Sequence, residues 1–212
     1  MKNKELTMQK LISSVGCIIR NKGYKGLGVN AIAREAGVHK KLIYRYFGTV
    51  DQLIETYVIE KDYWLSFNKK IEESLPQIDQ QNDLEEILAS ILEKQFEFFF
   101  NEEEMQKIIL WEISEETVLL NGICKVREEF GDLILNKTDE FFKGSGTNLR
   151  AVCALLVCGI YYMVLHAKKN DSTICGINVN SDQGKAEISK TIRQVIKWSF
   201  DLKKGQEPVI QN

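Results

Sequence analysis

Apolar side chains recur along most of this sequence at intervals of three and four residues, the spacing that places them on one face of an α-helix. One such run, in residues 6–22, ends at Gly23 and aligns five apolar side chains: Leu11, Ile12, Val15, Ile18 and Ile19. No segment shows the convincing alternation of apolar and polar residues that marks a half-buried β-strand. The pattern therefore predicts an all-α protein of about nine helices.

The rest of the chain repeats this helical pattern between segments rich in glycine and polar residues. Thr49 and Gln52 have the spacing of a capping box, which marks the start of one helix, and Pro76 marks its end. Residues 77–83 and 170–184 read as loops, the second of them mobile. We predict helices at residues 29–36, 40–47, 50–74, 84–101, 102–115, 117–143, 149–169 and 184–204.

One predicted helix is apolar enough to raise the question of a membrane span. Residues 151–167 carry no formal charge when His166 is neutral. A helix of this length spans about 25 Å, less than a hydrocarbon core of about 30 Å. We therefore expect no membrane span, and instead a helix buried in a protein core or at a subunit interface.

Charge is unevenly distributed along the chain. Residues 1–50 contain ten Lys and Arg against two Asp and Glu, a net charge of +8, whereas residues 51–212 have a net charge of −10. A basic head on an acidic body indicates that the head meets a polyanion and the body does not. By charge alone, that polyanion is either a nucleic acid or a membrane surface.

Residues 28–47 have the spacing of two short helices that cross through a tight turn. Ala33 is small where the two backbones approach, and Gly37 tolerates the positive φ that such a turn needs. One apolar patch then lies beneath the turn, formed by Ile32, Ala36, Val38 and Ile43. This is helix-turn-helix spacing, and in that motif the second helix enters the major groove of DNA. Membrane-surface helices present Trp, Phe or Leu opposite a basic face, and helices this short are poor candidates for that role.

The second of these helices carries basic and aromatic side chains on its outer face. Lys40, Lys41 and Tyr44 suit phosphate oxygens, which fix the register of a protein on the duplex. Arg45 suits a guanine edge or a phosphate, and Leu42 suits the methyl group of thymine. We therefore predict sequence-specific binding to a double-stranded DNA operator.

Over residues 6–60 the chain resembles the DNA-binding domain of TetR-type transcriptional repressors. The likeness is carried by AIAREAGVHKKLIYRYF, from Ala31 to Phe47, with GYKGLGV before it and GTVDQL after it. The resemblance implies a repressor that leaves its operator when a small molecule bound in the body moves the fourth helix. Together with the outer face, it indicates these DNA-binding residues: Lys25, Gly28, Val29, His39, Lys40, Lys41, Leu42, Tyr44, Arg45 and Tyr46.

Three positions depart from the usual pattern of that family. Gly28 stands in place of a capping Thr, His39 in place of a Ser, and Val50 in place of a phosphate-binding Lys. Glycine is an acceptable cap but has no hydroxyl group to offer a phosphate. A histidine close to DNA phosphates would make binding tighter as the pH falls toward 6, and the alternative is an exposed turn histidine without a role. Other phosphate contacts are then expected from Lys2, Lys4, Lys25, Lys40 and Lys41.

The resemblance also implies a homodimer. In the family, the last two long helices of each subunit form a four-helix bundle with those of the partner, which here places the interface on helices 149–169 and 184–204. The chain then has three parts: a helix-turn-helix DNA-binding domain (1–48), a helical regulatory and dimerisation domain (49–204) and a flexible tail (205–212).

Aromatic side chains are concentrated in the acidic body, where they suit an apolar ligand pocket or an ordinary core. Tyr162 and His166 lie one helical turn apart and are candidates for polar anchors of a ligand, for a dimer contact or for satisfied core residues. The candidate ligand-binding residues are Trp64, Phe67, Phe96, Phe100, Trp111, Tyr162 and His166. We expect the effector to be a small apolar or aromatic molecule, which the sequence does not identify.

The sequence contains none of the common motifs of enzymes or metal sites. His39 and His166 are the only histidines and form no HExxH motif, and neither GxSxG nor a glycine-rich phosphate loop occurs. We therefore expect no enzyme activity, no cofactor and no metal site. The five cysteines are odd in number and include no CxxC pair, which fits reduced, buried thiols in a cytoplasmic protein.

Overall fold

The computed structural model describes residues 2–64 and 81–204, which form nine α-helices and no β-strand. The prediction of an all-α protein is confirmed. Phe67 and the tail 205–212 lie outside the described residues. A 3₁₀ turn, Tyr24–Gly26, follows the first helix. The helices are α1 (Lys2–Lys22), α2 (Val29–Glu35), α3 (Lys41–Phe47), α4 (Val50–Lys61), α5 (Gln81–Asn101), α6 (Glu103–Ser114), α7 (Val118–Phe142), α8 (Leu149–Asn170) and α9 (Asp182–Lys204).

Three predicted helix boundaries differ from the structure by three residues or more. α1 begins at Lys2, whereas the apolar pattern predicted a start at residue 6. α4 ends at Lys61, because Asp62 is extended, whereas the sequence predicted a helix that continued to residue 74. Residues 81–83 belong to α5, although their polar side chains predicted a loop. The start of α4 agrees with the prediction, since the Thr49 hydroxyl accepts a hydrogen bond of 3.0 Å from the Gln52 amide.

The described residues fall into two compact units. Unit 1 combines residues 2–64 with residues 102–129, and unit 2 combines residues 81–101 with residues 130–204. Unit 1 thus contains the short N-terminal helices together with α6 and the first part of α7. The functional division at residue 48 stays a prediction.

Unit 1 is built around one apolar core. α1 packs against α2, α4 and α6, so a single face of α1 holds three helices in place. Burial of these aliphatic side chains stabilises the unit by about 1.5–3 kcal/mol each. The fully buried members are Leu11, Val15, Ile32, Ile43, Leu53, Val58 and Ile108.

A buried carboxylate fastens α6 to α1 and α4 within unit 1. Glu104 of α6 is only 6% exposed, accepts a hydrogen bond from the Tyr57 hydroxyl and forms an ion pair with Arg20. Lys61 Nζ lies 3.7 Å from the same carboxylate. A buried carboxylate with several donors is much less costly than an unpaired one, so Glu104 requires these three partners.

A second buried ion pair in unit 1 joins the end of α4 to α6 and α7. Asp62 is fully buried, and its Oδ2 accepts a hydrogen bond of 2.7 Å from Arg127 Nε. Arg127 Nη1 donates to Glu112 Oε2 at 2.5 Å. The other oxygen of Asp62 accepts from the backbone amide of Trp64 at 2.9 Å, which fits the extended conformation that ends α4.

Unit 2 is centred on α5, which packs against α8 and α9. Aromatic contacts fill its interior: the Phe99 and Tyr161 rings meet edge to face at 4.7 Å, and those of Phe142 and Phe200 do so at 5.0 Å. At the surface, Arg193 of α9 pairs with Glu86 and Glu93 of α5.

The loop between α8 and α9 is fastened to both helices, contrary to the mobility that its polar sequence predicted. Val179 is fully buried, and the Asn180 side-chain amide donates to the Ala167 carbonyl at 3.0 Å. Gly184, in the first turn of α9, lies so close to the loop that a Cβ there would overlap the carbonyl group of Asn178. The absence of a side chain at residue 184 is thus a condition for this packing.

The cysteines differ in exposure more than the sequence predicted. All five are free thiols. Cys153 is buried, Cys17 and Cys124 are half-buried, and Cys158 and Cys175 are exposed, so the expectation of five buried thiols was wrong. The two cysteines of α8 thus differ, since Cys153 is buried in the core and Cys158 is exposed.

Candidate nucleic-acid interface

The turn between α2 and α3 has the geometry that its sequence predicted. Gly37 adopts a φ of 64°, in the left-handed region that glycine enters without steric cost. The Val38 amide donates to the Ala33 carbonyl at 3.0 Å, which closes the turn over the end of α2. Only five residues, 36–40, therefore separate the end of α2 from the start of α3.

The underside of this motif is apolar and closed to solvent. Ile32 and Ile43 are fully buried and Ala33 is 6% exposed, whereas Ala36 and Val38 are half-buried at the rim. Because these side chains lie on one side of α2 and α3, the polar side chains of both helices are directed outward.

The outer face of α3 is basic and aromatic, as predicted. His39, Lys40, Lys41, Tyr44 and Arg45 are exposed, and the Tyr44 side chain is 52% exposed although it is large and aromatic. The ring and hydroxyl of Tyr44 are therefore open to an external partner.

Two predicted contact residues are less open than the others. Leu42 and Tyr46 are half-buried. Two cations lie near the Tyr46 ring, with the guanidinium carbon of Arg45 6.0 Å and Lys4 Nζ 5.7 Å from its centroid. Tyr46 thus places a lysine from α1 beside the outer face of α3.

The start of α2 carries the other predicted contacts. Lys25 is exposed on the 3₁₀ turn, with Nζ 5.8 Å from the centre of the Tyr24 ring. Gly28 caps α2 without a side-chain hydrogen bond, and Val29 is its half-buried first residue. Sequence reasoning missed the exposed Asn30, whose side-chain oxygen lies 3.5 Å from Lys40 Nζ. Its position next to Gly28 and Val29, in the first turn of α2, could have indicated it from the sequence.

The His39 side chain forms a hydrogen bond with the first turn of α3, although Lys40 is the N-cap residue of this helix. His39 Nδ1 accepts a hydrogen bond of 3.2 Å from the Lys41 amide, and the His39 carbonyl accepts one of 2.9 Å from the Leu42 amide. The imidazole thereby satisfies one of the free N–H groups of the first turn, which a serine hydroxyl also does.

Comparison with known families supports what this geometry indicates. Residues 18–57 match the family model described as bacterial regulatory proteins, tetR family. Residues 18–57 are thus a DNA-binding domain of the tetR type. The match spans the last turn of α1 through most of α4, so it contains the complete helix-turn-helix. No curated protein matches its sequence.

Solved structures of transcriptional regulators share the fold of this chain. The transcriptional regulator FadR from Bacillus subtilis, in complex with stearoyl-CoA, aligns with a TM-score of 0.64 and 20% identity over 89% of this chain and 96% of its own. FadR from Bacillus halodurans, a fatty acid degradation regulator, gives 0.62 and 17% over 92% and 94%. RolR in complex with resorcinol gives 0.54 and 13% over 99% and 98%.

Within unit 1, the tetR domain is joined to α6 by an aromatic contact that the sequence did not reveal. The rings of Tyr24 and Trp111 stack with their centroids 5.2 Å apart, and the Tyr24 hydroxyl donates to Glu115 Oε1 at 2.7 Å. Glu104 adds the contact to α1 and α4 described above. These partners are distant in sequence, so no local pattern could have paired them.

The predicted ligand-binding residues are distributed over both units. Trp64 and Trp111 belong to unit 1, where Trp111 is 7% exposed. In unit 2, the buried rings of Phe96 and Phe100 lie 6.2 Å apart. The rings of Tyr162 and His166 lie 5.8 Å apart, but Tyr162 is 63% exposed. Their role in ligand binding stays a prediction.

Large apolar side chains are also exposed on the outer side of α8. Within the described ranges, α8 alone is long and apolar enough to cross a membrane by length and composition, which is weak evidence for a span. Only 22% of the most apolar 18-residue segment of α8 is buried within the single chain. Leu155 and Tyr162 on α8, and Trp198 and Leu202 on α9, are each more than half exposed. These four residues mark what we call the outer face of α8 and α9.

Proposed function

We propose that this protein is a sequence-specific, ligand-responsive transcriptional repressor and not an enzyme. The observation that carries this is the exposed basic and aromatic face of α3, fixed in place by the buried Ile43 beneath it. The tetR family assignment agrees with this function. We also propose that the protein releases its operator when it binds a small apolar or aromatic molecule.

The exposed side chains of α3 divide into two groups by chemistry. Lys40, Lys41 and Tyr44 donate to phosphate oxygens and hold the helix in register. Arg45 reads a guanine edge, and Leu42 contacts the methyl group of thymine. Lys25 and the backbone amides at Gly28 and Val29 contact the phosphates that flank the groove, because the start of α2 carries the positive end of its dipole.

A selection experiment tests the DNA-binding function. Wild-type protein is used to enrich duplexes from a random-sequence pool, and the affinity for the enriched duplex is then measured by fluorescence anisotropy. The double variant Tyr44→Ala/Arg45→Ala is expected to fold and to lose sequence-specific binding by 100-fold or more. Lys125→Ala, at an exposed position of α7, is the control and should bind as wild type does. Unchanged affinity of the double variant would refute the assignment of α3.

Salt dependence separates DNA recognition through phosphates from other modes of association. The logarithm of the association constant is expected to fall linearly with the logarithm of salt concentration, with a slope of about −0.9 for each phosphate neutralised. Because a dimer carries two copies of Lys41, Lys41→Ala should make this slope less negative by about two. Leu42→Ala removes no phosphate contact and should leave the slope unchanged. A slope near zero in the wild-type protein would contradict the proposal.

We further propose that the protein acts as a homodimer through the outer face of α8 and α9. Large exposed apolar patches mark association surfaces, and a second copy of the chain offers the same patch across a two-fold axis. Sedimentation should give twice the 24.4 kDa of one chain. Leu155→Glu is expected to dissociate the dimer, whereas Ile113→Glu, at an equally exposed apolar side chain of α6, should not.

The ligand-responsive part of the proposal is supported by two of the similar folds. The structures of FadR from Bacillus subtilis and RolR contain stearoyl-CoA and resorcinol, molecules with large apolar or aromatic parts. The interior of unit 2 is lined by apolar and aromatic side chains that suit a molecule of this kind. Titration of such compounds into the protein–DNA complex should lower the anisotropy if they act as effectors.

A further inference from the structure

Gln95 stands in the middle of the apolar stripe of α5. The buried side chains of this helix recur every three or four residues, and position 95 falls on that repeat. Every neighbour on the stripe is apolar, yet residue 95 is a glutamine that is only 1% exposed. The other buried side chains of α5 are Leu84, Leu88, Ala89, Ile91, Leu92, Phe96, Phe99 and Phe100.

The amide group of Gln95 has no hydrogen-bond partner. Both Oε1 and Nε2 are shielded from solvent, and neither meets a donor or acceptor. Leaving a buried amide unpaired costs about 1–3 kcal/mol relative to a paired one, and a leucine at this position would carry no such cost. Native proteins leave few buried polar groups unpaired, so a complementary group from outside the chain is the direct explanation.

The surroundings of Gln95 define what such a group must be. One turn along α5, the ring of Phe99 meets that of Tyr161 on α8 edge to face. A glutamine amide offers one acceptor oxygen and a donor nitrogen, so both are satisfied by a group that donates and accepts together. A hydroxyl or a carboxamide does so, whereas a carboxylate, which only accepts, would leave Oε1 unpaired.

We propose that Gln95 is the polar recognition residue of a ligand site in unit 2, specific for a neutral aromatic or apolar molecule that bears a hydroxyl or carboxamide group. The apolar part of the ligand lies against Phe99 and its neighbours on α5 and α8. The polar group of the ligand pairs with both atoms of the Gln95 amide. The inference deepens the proposed function, because it names the effector class, and it rests on that function only for the effect of binding on DNA.

Three matched probes test the site without DNA. Phenol donates and accepts a hydrogen bond, anisole of similar shape only accepts, and toluene does neither. Each is titrated into 15N-labelled full-length protein, and affinity is measured in every variant through the backbone amide resonances of α5 and α8, with the side-chain amide resonances of Gln95 as an added readout in the wild type. We expect phenol to bind about tenfold more tightly than anisole or toluene and to shift the Gln95 resonances. Equal affinities for the three probes, or no binding of phenol, would overturn the proposal.

Two variants separate ligand recognition from a structural role. Gln95→Leu should raise the thermal midpoint of the free protein and should abolish the preference for phenol, so that the three probes bind within about twofold of one another. Gln106→Leu alters an equally buried glutamine in unit 1, which has an interaction partner, and should keep the preference. A lowered midpoint in Gln95→Leu, or a preference that survives in it, would show that the amide does not read a ligand.

The readout also distinguishes this inference from the proposed DNA-binding function. If phenol recognition fails and the enriched duplex still binds through α3, the repressor function stands and the ligand class is wrong. If phenol recognition holds and no duplex is enriched, Gln95 still identifies the ligand site, and the DNA-binding function is refuted.

Discussion

Gly16 of α1 lies directly against the ring of Tyr57 of α4: a Cβ at residue 16 would be 2.6 Å from Tyr57 Oη. The ring cannot move aside easily, because Tyr57 is 2% exposed and its hydroxyl donates to the buried Glu104. A residue without a side chain in α1 therefore allows one tyrosine to bridge α4 and α6.

Replacing this glycine should destabilise the protein in spite of a better helix propensity. Alanine gains about 0.5–1 kcal/mol over glycine in a helix interior, but overpacking against Tyr57 costs about 1–3 kcal/mol and displaces the hydrogen bond to Glu104. We expect Gly16→Ala to lower the free energy of unfolding in urea by about 1–2 kcal/mol. Gly122→Ala in α7, where a Cβ meets nothing within 4 Å, is the control and should raise it slightly.

Adjacent residues of α3 should separate stability from DNA binding. Ile43 is fully buried, so Ile43→Ala is expected to cost about 2–5 kcal/mol through lost burial and the cavity left behind. Tyr44→Ala should change the free energy of unfolding by less than about 0.5 kcal/mol, because the side chain is exposed, and should weaken DNA binding instead. Paired measurements of urea unfolding and duplex affinity check both statements. A Tyr44→Ala variant that unfolds like Ile43→Ala would contradict the orientation of α3.

The ion pair between Arg127 and Asp62 should matter far more than a comparable pair at the surface. Arg127→Met leaves the fully buried Asp62 without its guanidinium partner, and breaking such a pair costs about 3–5 kcal/mol. Arg150 in α8 makes equally short ion pairs with Asp132 and Asp139, but all three side chains are at least a third exposed. Arg150→Met should therefore cost less than about 1 kcal/mol in the same unfolding experiment. Similar losses in both variants would argue against the burial of the Asp62 pair.

The thiols are expected to differ in reactivity and in their effect on alkaline stability. Burial raises the pKa of Cys153 to about 11, so little thiolate is present at pH 8, whereas Cys158 and Cys175 are exposed. A disulfide reagent at pH 8 should label the exposed thiols first, with mass spectrometry after digestion as the readout. Dimer formation should then protect Cys158 and not Cys175, because Cys158 faces outward from α8.

The sign of the pH effect follows from the raised pKa. The neutral Cys153 thiol is favoured in the folded state, while the unfolded thiol ionises from about pH 8.5. This contribution to stability is therefore complete below pH 8.5 and is lost as the pH rises toward 11. The free energy of unfolding should fall less steeply over that window in Cys153→Ala than in wild type. An identical slope in both would mean that Cys153 titrates normally.

Much of this architecture could be predicted because local patterns determine it. The turn at Gly37, the burial of Ile43 and the exposure of Tyr44 follow from helical spacing within one short segment. The capping role of Thr49 could be predicted in the same way, from its spacing to Gln52. In each case the residues that decide the structure lie within a few positions of one another.

Contacts between distant segments could not be predicted in the same way. The stacking of Tyr24 on Trp111 pairs residues from remote segments, and the sequence left open whether Trp111 belongs to the core or to a ligand site. The early end of α4 depends on Asp62, whose partner Arg127 is also remote in sequence. The break in the α5 stripe at Gln95 was visible in the sequence, but only coordinates show that its amide has no partner.

Gly184 carries a consequence for how this protein tolerates change. The clash that any side chain would make there is with backbone, the carbonyl group of Asn178, which cannot rotate away as a flexible side chain could. In a saturation library selected for folded protein, codon 184 should return glycine alone, while exposed neighbours such as Glu187 accept many residues. Variant frequencies alone would then identify the position at which the loop packs against α9.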